Sequence, residues 1–289
     1  MQYYTKAHKG FTLLNYMIMI ILALICIVPF IHYISISLSS TGAVQSKAVG
    51  LWPVGLTFDA YKGALQKNEL FQSLGVTVLR TFLSTVIGMS VTVAGAYALS
   101  KGSGMLKGYR LYITFFIIAL LFNGGLIPNY ILINSLGLMD TIWAVVLPTA
   151  ANIFNMILLL NFFKAVPQEL EEAGLMDGAS HWVLLLKIFI PLSLPAMATV
   201  GLFVVVNEWN SWFDGSIYLR GNNIPLATYL QSIMVQQDMG NLNAQDISQI
   251  STVTLKAAQV LLGTLPILIV YPFLQRFFVQ GAMVGAVKE

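Results

Sequence analysis

The sequence predicts an all-α membrane protein, and three observations carry that prediction. The 289 residues are 57% hydrophobic and only 9% charged, with a mean hydropathy of +0.77, whereas soluble domains carry roughly a quarter charged residues. The apolar runs reach about 20 residues, the length of a spanning helix. They also lack the alternation of barrel strands. With no water in the bilayer core, each run must satisfy its own backbone groups, and a helix does so.

Six spans are expected, at about Phe11–Ser37, Phe71–Ser100, Tyr109–Leu126, Thr141–Phe163, Leu192–Trp212 and Leu255–Phe278. The first is too long for the apolar core of a signal peptide and lacks a clean cleavage pattern, so it reads as a retained helix. The second carries Ser84, Gly88, Thr92 and Ala96 four residues apart, with Thr77, Thr81 and Thr85 alongside. That spacing places small residues on one face, where helix backbones can approach closely. Orientation follows from the basic residues of the connections. With the N-terminus inside, Lys6, Lys9, Lys101, Lys107, Arg110, Lys164, Lys187, Arg276 and Lys288 are cytoplasmic, and Lys47, Lys62, Lys67, Arg220 and Lys256 are outside. Both termini are then cytoplasmic. Segments 38–70 and 213–254 become polar outer connections, the second with an Asn/Gln-rich stretch from Gln236 to Gln249. No internal repeat or linker divides the chain, which reads as one membrane domain over residues 1–289.

The inner connection 164–191 differs from the others. Pro167 suits a first helical position, and Glu169, Glu171 and Glu172 place negative charge in the early turns. Asp177-Gly178 is turn chemistry. A second helix can start near Ser180, with Trp182, Leu185, Leu186 and Phe189 on one face, and Pro191 ends it or leads into the fifth span. The expected shape is helix–turn–helix, lying at the inner membrane surface.

Glu172-Ala173-Gly174, with Gly178 four residues on and Ile188-Phe189-Ile190-Pro191 beyond it, resembles the EAA loop of permeases in ATP-binding-cassette importers. Gly174 stands for the family's second Ala, which can soften the first helix by up to about 1 kcal/mol, and Ile190 stands for Leu. Ala96 to Lys101, Gly125 to Tyr130 with Leu136-Gly137-Leu138 and Leu147-Pro148, Trp209 to Phe213 with Pro225-Leu226, and the tail Gly281 to Lys288 are similar to carbohydrate permeases of the maltose, alginate and oligosaccharide type. The tail matches the smaller permease of a heterodimeric pair. This resemblance implies a sister permease, an ATPase dimer, an extracytoplasmic solute-binding protein and an oligosaccharide substrate, in the cytoplasmic membrane of a bacterium. It implies that Glu172, Ala173, Gly174, Asp177, Gly178 and Ala179 couple to the ATPase. ATP and Mg2+ would sit on that partner, with no cofactor on this chain and no nucleic acid involved.

The residues themselves offer little enzyme chemistry. The nearest approach to a phosphate loop, Gly95 to Lys101, has Ser100 where a second Gly is needed and no Ser or Thr after Lys101. His8, His32 and His181 are scattered, with no metal or nucleophile–base spacing. Cys26 is the single cysteine, so no disulfide can form within the chain. Two charges lie well inside spans, away from their ends, where such groups face a partner or a cavity. Arg80 and Glu208 fall within about 6 Å of each other in depth by the helical rise, either as a structural pair or on the solute pathway. Asn207, Trp209 and Asn210 supply amide and aromatic groups near the outer half of the fifth span, and Trp212 suits an interface anchor. Two other classes stay open on the residues alone: an importer permease for amino acids or phosphate, and an ion-coupled secondary transporter. The second tends to carry midplane acids and broken helices, and the acids here cluster in connections.

Overall fold

The structure is a computed structural model that describes residues 6–240, 253–270 and 272. Among these residues no β-strand forms. The principal helices, in chain order, are α1 (Lys6–Ser37), α2 (Asn68–Ser100), α3 (Tyr109–Leu121), α4 (Leu126–Ser135), α5 (Ile153–Lys164), α6 (Gln168–Met176), α7 (His181–Leu192), α8 (Leu194–Asn210), α9 (Leu226–Gly240) and α10 (Val253–Val270). α1, α2 and α10 are long and apolar enough to cross a membrane. α3 with α4 and α7 with α8 also qualify if each bent pair counts as one span.

The expected third and fourth spans differ from the helices observed, whereas the fifth appears as α8, within two residues of its expected bounds at each end. α3 ends at Leu121, and α4 leaves it at 112° across Asn123-Gly124-Gly125. The region expected as one span over Thr141–Phe163 instead holds a single turn, Trp143–Val146, and then α5. Pro148 denies the backbone a donor there. Asn152 starts α5 afresh, its side chain accepting from the Asn155 N–H at 3.0 Å, which satisfies one orphan donor of the new helix. α7 and α8 meet at 84° around Ser193, and Pro195 sits in the first turn of α8, where its missing donor costs nothing. The end of the expected sixth span, the stretch 241–249 and the tail 281–288 lie outside the described residues.

The described residues form two compact bodies. One lies within Met1–Leu70 and Ser232–Thr264. Almost every side chain of α1 from Phe11 to Ile34 is exposed, Cys26 among them, as a helix facing lipid requires. Its last turn is different. Ser35 and Ser37 are buried there, as is Ser39 just beyond the helix. Ser35 Oγ donates to the Leu51 carbonyl at 2.7 Å, Val54 N–H donates to Ser39 Oγ at 3.0 Å, and Ser37 Oγ meets Tyr61 OH at 2.8 Å. His32 Nδ1 lies 2.9 Å from the Gly50 carbonyl. Segment 38–70 is therefore held against the end of α1 by hydroxyls, and a short helix, Asp59–Leu65, packs Ala60 and Ala64 against Ala258.

The other body lies within Phe71–Gln231 and Leu265–Glu289. Its core gathers Val93, Ala96, Tyr97 and Leu99 of α2, Met156, Leu159, Leu160 and Phe163 of α5, Leu185 and Phe189 of α7, and Ala196 of α8. The small face of α2 is buried at Ser84, Thr92 and Ala96, and a side chain at Gly88 would meet the Ala150 carbonyl at 3.6 Å. In lipid, such close packing stabilises through dispersion rather than through removal of water. A second cluster joins Ile133 of α4, Ala144 to Val146, and Tyr218-Leu219.

Candidate functional site

The loop 164–191 folds as two short helices. Pro167 is the residue before α6 rather than its first turn, and Glu169 and Glu171 occupy that turn, where the helix dipole favours acids. α6 ends in a Schellman cap. Gly178 N–H donates to the Leu175 carbonyl at 3.0 Å and Ala179 N–H to the Gly174 carbonyl at 2.9 Å. This cap needs a left-handed residue after the helix, and Gly178 supplies it with φ +77°. Ser180 then caps α7, its Oγ accepting from Val183 N–H. Gly174 acts by close approach: a Cβ there would lie 2.5 Å from Leu184 Cδ2, so its absence lets α6 press against α7.

The buried face of α7 is only in part the one expected. Leu184, Leu185 and Phe189 are buried, whereas Trp182 and Leu186 are exposed. Residues Leu185–Phe189 form a π turn, which interrupts the 3.6-residue pattern at Leu186. Glu172, Ala173, Met176, Asp177, Gly178 and Trp182 remain exposed, and Met176 is 88% so. Ala179 and Gly174 are half-buried beneath them. Glu172 Oε1 accepts from Gln168 Nε2 at 2.7 Å, which orders it along α6.

Within the same body, Arg80 of α2 is fully buried and reaches two acids. Its Nε donates to Glu208 Oε2 at 2.8 Å; Nη1 and Nη2 donate to the two Asp214 carboxylate oxygens at 3.2 and 2.5 Å. Ser84 Oγ also donates to Glu208 at 3.3 Å. Leu226 N–H donates to Thr77 Oγ1 at 2.7 Å, and Thr228 Oγ1 donates to the Trp212 carbonyl at 2.8 Å. The polar face of α2 thus anchors the chain from 208 to 228 where α8 ends. Helical depth pairs Arg80 with Glu208 but does not reach Asp214. A guanidinium offers five donors in a planar fork, so a second carboxylate just beyond the span was the available signal.

Beside this cluster is a cavity of about 1070 Å³. Asn123, Asn129, Asn152, Asn155, Asn207, Thr149, Glu208 and Tyr218 give it polar walls, with Phe154, Phe203 and several aliphatic residues between them. No Lys, Arg or His is among its lining residues. Asn207 lines it; Trp209 and Asn210 do not, and Asn210 Nδ2 donates instead to the Val206 carbonyl at 2.8 Å. Tyr218 stacks on Tyr130. Burial first, and the Asp214 charge second, push the Tyr218 hydroxyl above its ordinary pKa, so it stays a neutral donor and acceptor. Such walls suit a solute rich in hydroxyls. No group of three or more His, Cys, Asp or Glu that could hold a metal occurs among the described residues.

No family model matches the chain. Over 287 residues it is 37% identical to the polygalacturonan/rhamnogalacturonan transport system permease protein YtcP of Bacillus subtilis (strain 168), covering 97% of this chain and 99% of that protein. The crystal structure of a bacterial ABC transporter involved in the import of the acidic polysaccharide alginate contains a chain that matches with a TM-score of 0.86. Its identity is 32%, covering 96% of this chain and 100% of that one. A chain from a bacterial alginate ABC transporter in complex with an alginate pentasaccharide-bound periplasmic protein matches at a TM-score of 0.58. That alignment covers 93% of this chain and 94% of that one, and at 15% identity it is a likeness of fold alone. The chain belongs to the permease subunits of ATP-binding-cassette importers, in their carbohydrate branch. It is accordingly a non-catalytic membrane component with no cofactor of its own, and ATP hydrolysis is carried out by a separate ATPase.

Proposed function

We propose that this chain forms half of an import pathway for oligosaccharides, paired with a sister permease and driven by an ATPase dimer that hydrolyses MgATP. The observation that carries the substrate class is the cavity of about 1070 Å³ with five asparagines on its walls. Amides donate and accept at once, as adjacent sugar hydroxyls require, and the names of the relatives point to the same class. A bound periplasmic protein in one relative's complex supports delivery by an extracytoplasmic solute-binding protein. In this reading Asn207 touches the solute and Arg80–Glu208–Asp214 keeps the wall in place. The whole chain works as one membrane domain of six spans, with both termini inside a bacterial cytoplasmic membrane.

Force enters at the exposed knuckle between α6 and α7. Glu172, Ala173, Asp177 and Gly178 meet the ATPase, while Gly174 and Ala179 build the cap that shapes them. ATP binding shifts the pathway between two states through differential affinity for each.

Uptake by proteoliposomes containing both permeases and the ATPase tests this reading, with binding protein and labelled oligosaccharide outside and MgATP inside. Accumulation dependent on ATP and on all components is expected. Accumulation driven by an ion gradient without ATP would overturn it.

A further inference from the structure

A buried cation lies at the end of α2, apart from the cavity and from the exposed knuckle. Lys101, the residue after α2, has a side chain only 8% exposed, and its Nζ lies 2.7 Å from Glu171 Oε1 of α6, itself 14% exposed. The ammonium also sits over two aromatic faces, 4.1 Å from the Tyr97 ring centre and 4.0 Å from that of Phe189. These rings belong to a cluster with Phe163, in edge-to-face contacts of 5.0 to 6.5 Å. Tyr97 OH lies 3.3 Å from His181 Nδ1 at the start of α7. One ammonium therefore touches side chains of α2, α6 and α7.

We propose that Lys101 is a positioning residue that locks the coupling helix α6 to the end of α2 and to the π turn of α7, so that displacement of α6 reaches the pathway helices. This rests on the reading of the loop as the ATPase contact. The physical ground is the cost of separation. A desolvated ammonium over aromatic faces is held by their negative ring faces, and removing one partner of a buried pair leaves an uncompensated charge. Burial already pushes the Lys101 pKa down, and Glu171 only partly offsets that. α6 cannot swing away from α2 without stranding this charge. The π turn ends on Phe189, whose ring is 2% exposed and faces the ammonium; π turns recur at functional sites. Glu171 and Glu172 are neighbours with different tasks: Glu171 faces inward to Lys101, and Glu172 faces out.

The test is the number of ATP molecules hydrolysed per oligosaccharide accumulated, measured on assembled importer in proteoliposomes. Lys101→Met keeps the aliphatic stem and removes the charge. It is expected to raise that ratio about fivefold or more, the lower range of site-to-site coupling, whereas Lys101→Arg stays near wild type. A merely structural lysine would lower the yield of importer without changing the ratio in what assembles. Where Lys101→Met does not assemble, Glu171→Gln reads the same quantity and is expected to raise it. A wild-type ratio in Lys101→Met, or in Glu171→Gln where it stands in, overturns the role. Absence of ATP-driven uptake in the wild type removes the coupling reading itself, and the role with it.

Discussion

Replacing Arg80 by Met removes the buried cation that holds Glu208 and Asp214. Glu208 is 2% exposed and Asp214 22% by side chain, so Glu208 bears most of the loss. Stranding one buried partner costs about 3–5 kcal/mol, which is roughly a hundredfold or more in the folded-to-unfolded ratio. The fraction of purified importer that survives graded heating, read by size-exclusion chromatography, should fall well below wild type. R80M/E208Q should recover much of that loss, because Gln at 208 can be satisfied by Ser84 and leaves no charge. R80E/E208R should not recover it, since Asp214 would then face a carboxylate. A double mutant R80M/E208Q as impaired as the sum of its singles would refute the coupling, as would wild-type survival of R80M.

Gly178→Val forces a branched side chain into the left-handed region at φ +77°. About 1–2 kcal/mol of strain at the α6 cap should reduce ATPase co-purification and uptake together. Asn207→Ala should alter the sugar dependence of uptake and Trp209→Ala should not, because only the first lines the cavity; oligosaccharide titrations of both variants check this. Asn207→Lys adds a cation to walls that have none, and an attraction of about 1 kcal/mol or more should shift uptake roughly fivefold toward uronic over neutral oligosaccharides. An unchanged ratio in a competition assay would count against Asn207 as a solute contact.

Composition and run length made the helical membrane class legible, and α1 and α2 appear where their apolar runs lie. The broken helices were hidden by the same measure. Hydropathy sums apolar content along the chain, and that content continues on both sides of Asn123-Gly124-Gly125 and of Pro148 whatever the direction of the helix. The local chemistry was readable: Asn152 is a good N-cap and Pro195 a good first-turn residue. The loop 164–191 was legible because its Asp-Gly turn and Ser cap act locally. Its buried face was legible only in part: Leu185 and Phe189 lie where the spacing puts them and Leu186 does not, since no residue type announces the π turn that holds it. Arg80 with Glu208 followed from depth alone. Asp214 and the Lys101 cage required knowing which way connections turn back on α2.

The grip of a separate ATPase on the α6–α7 knuckle is open to direct test by crosslinking. In a Cys26→Ala background, which removes the only native cysteine, a cysteine at Met176 should crosslink to the ATPase subunit in assembled importer, with a yield that changes on adding MgATP. No crosslink from position 176, with efficient crosslinking from the segment 47–67 instead, would contradict the account.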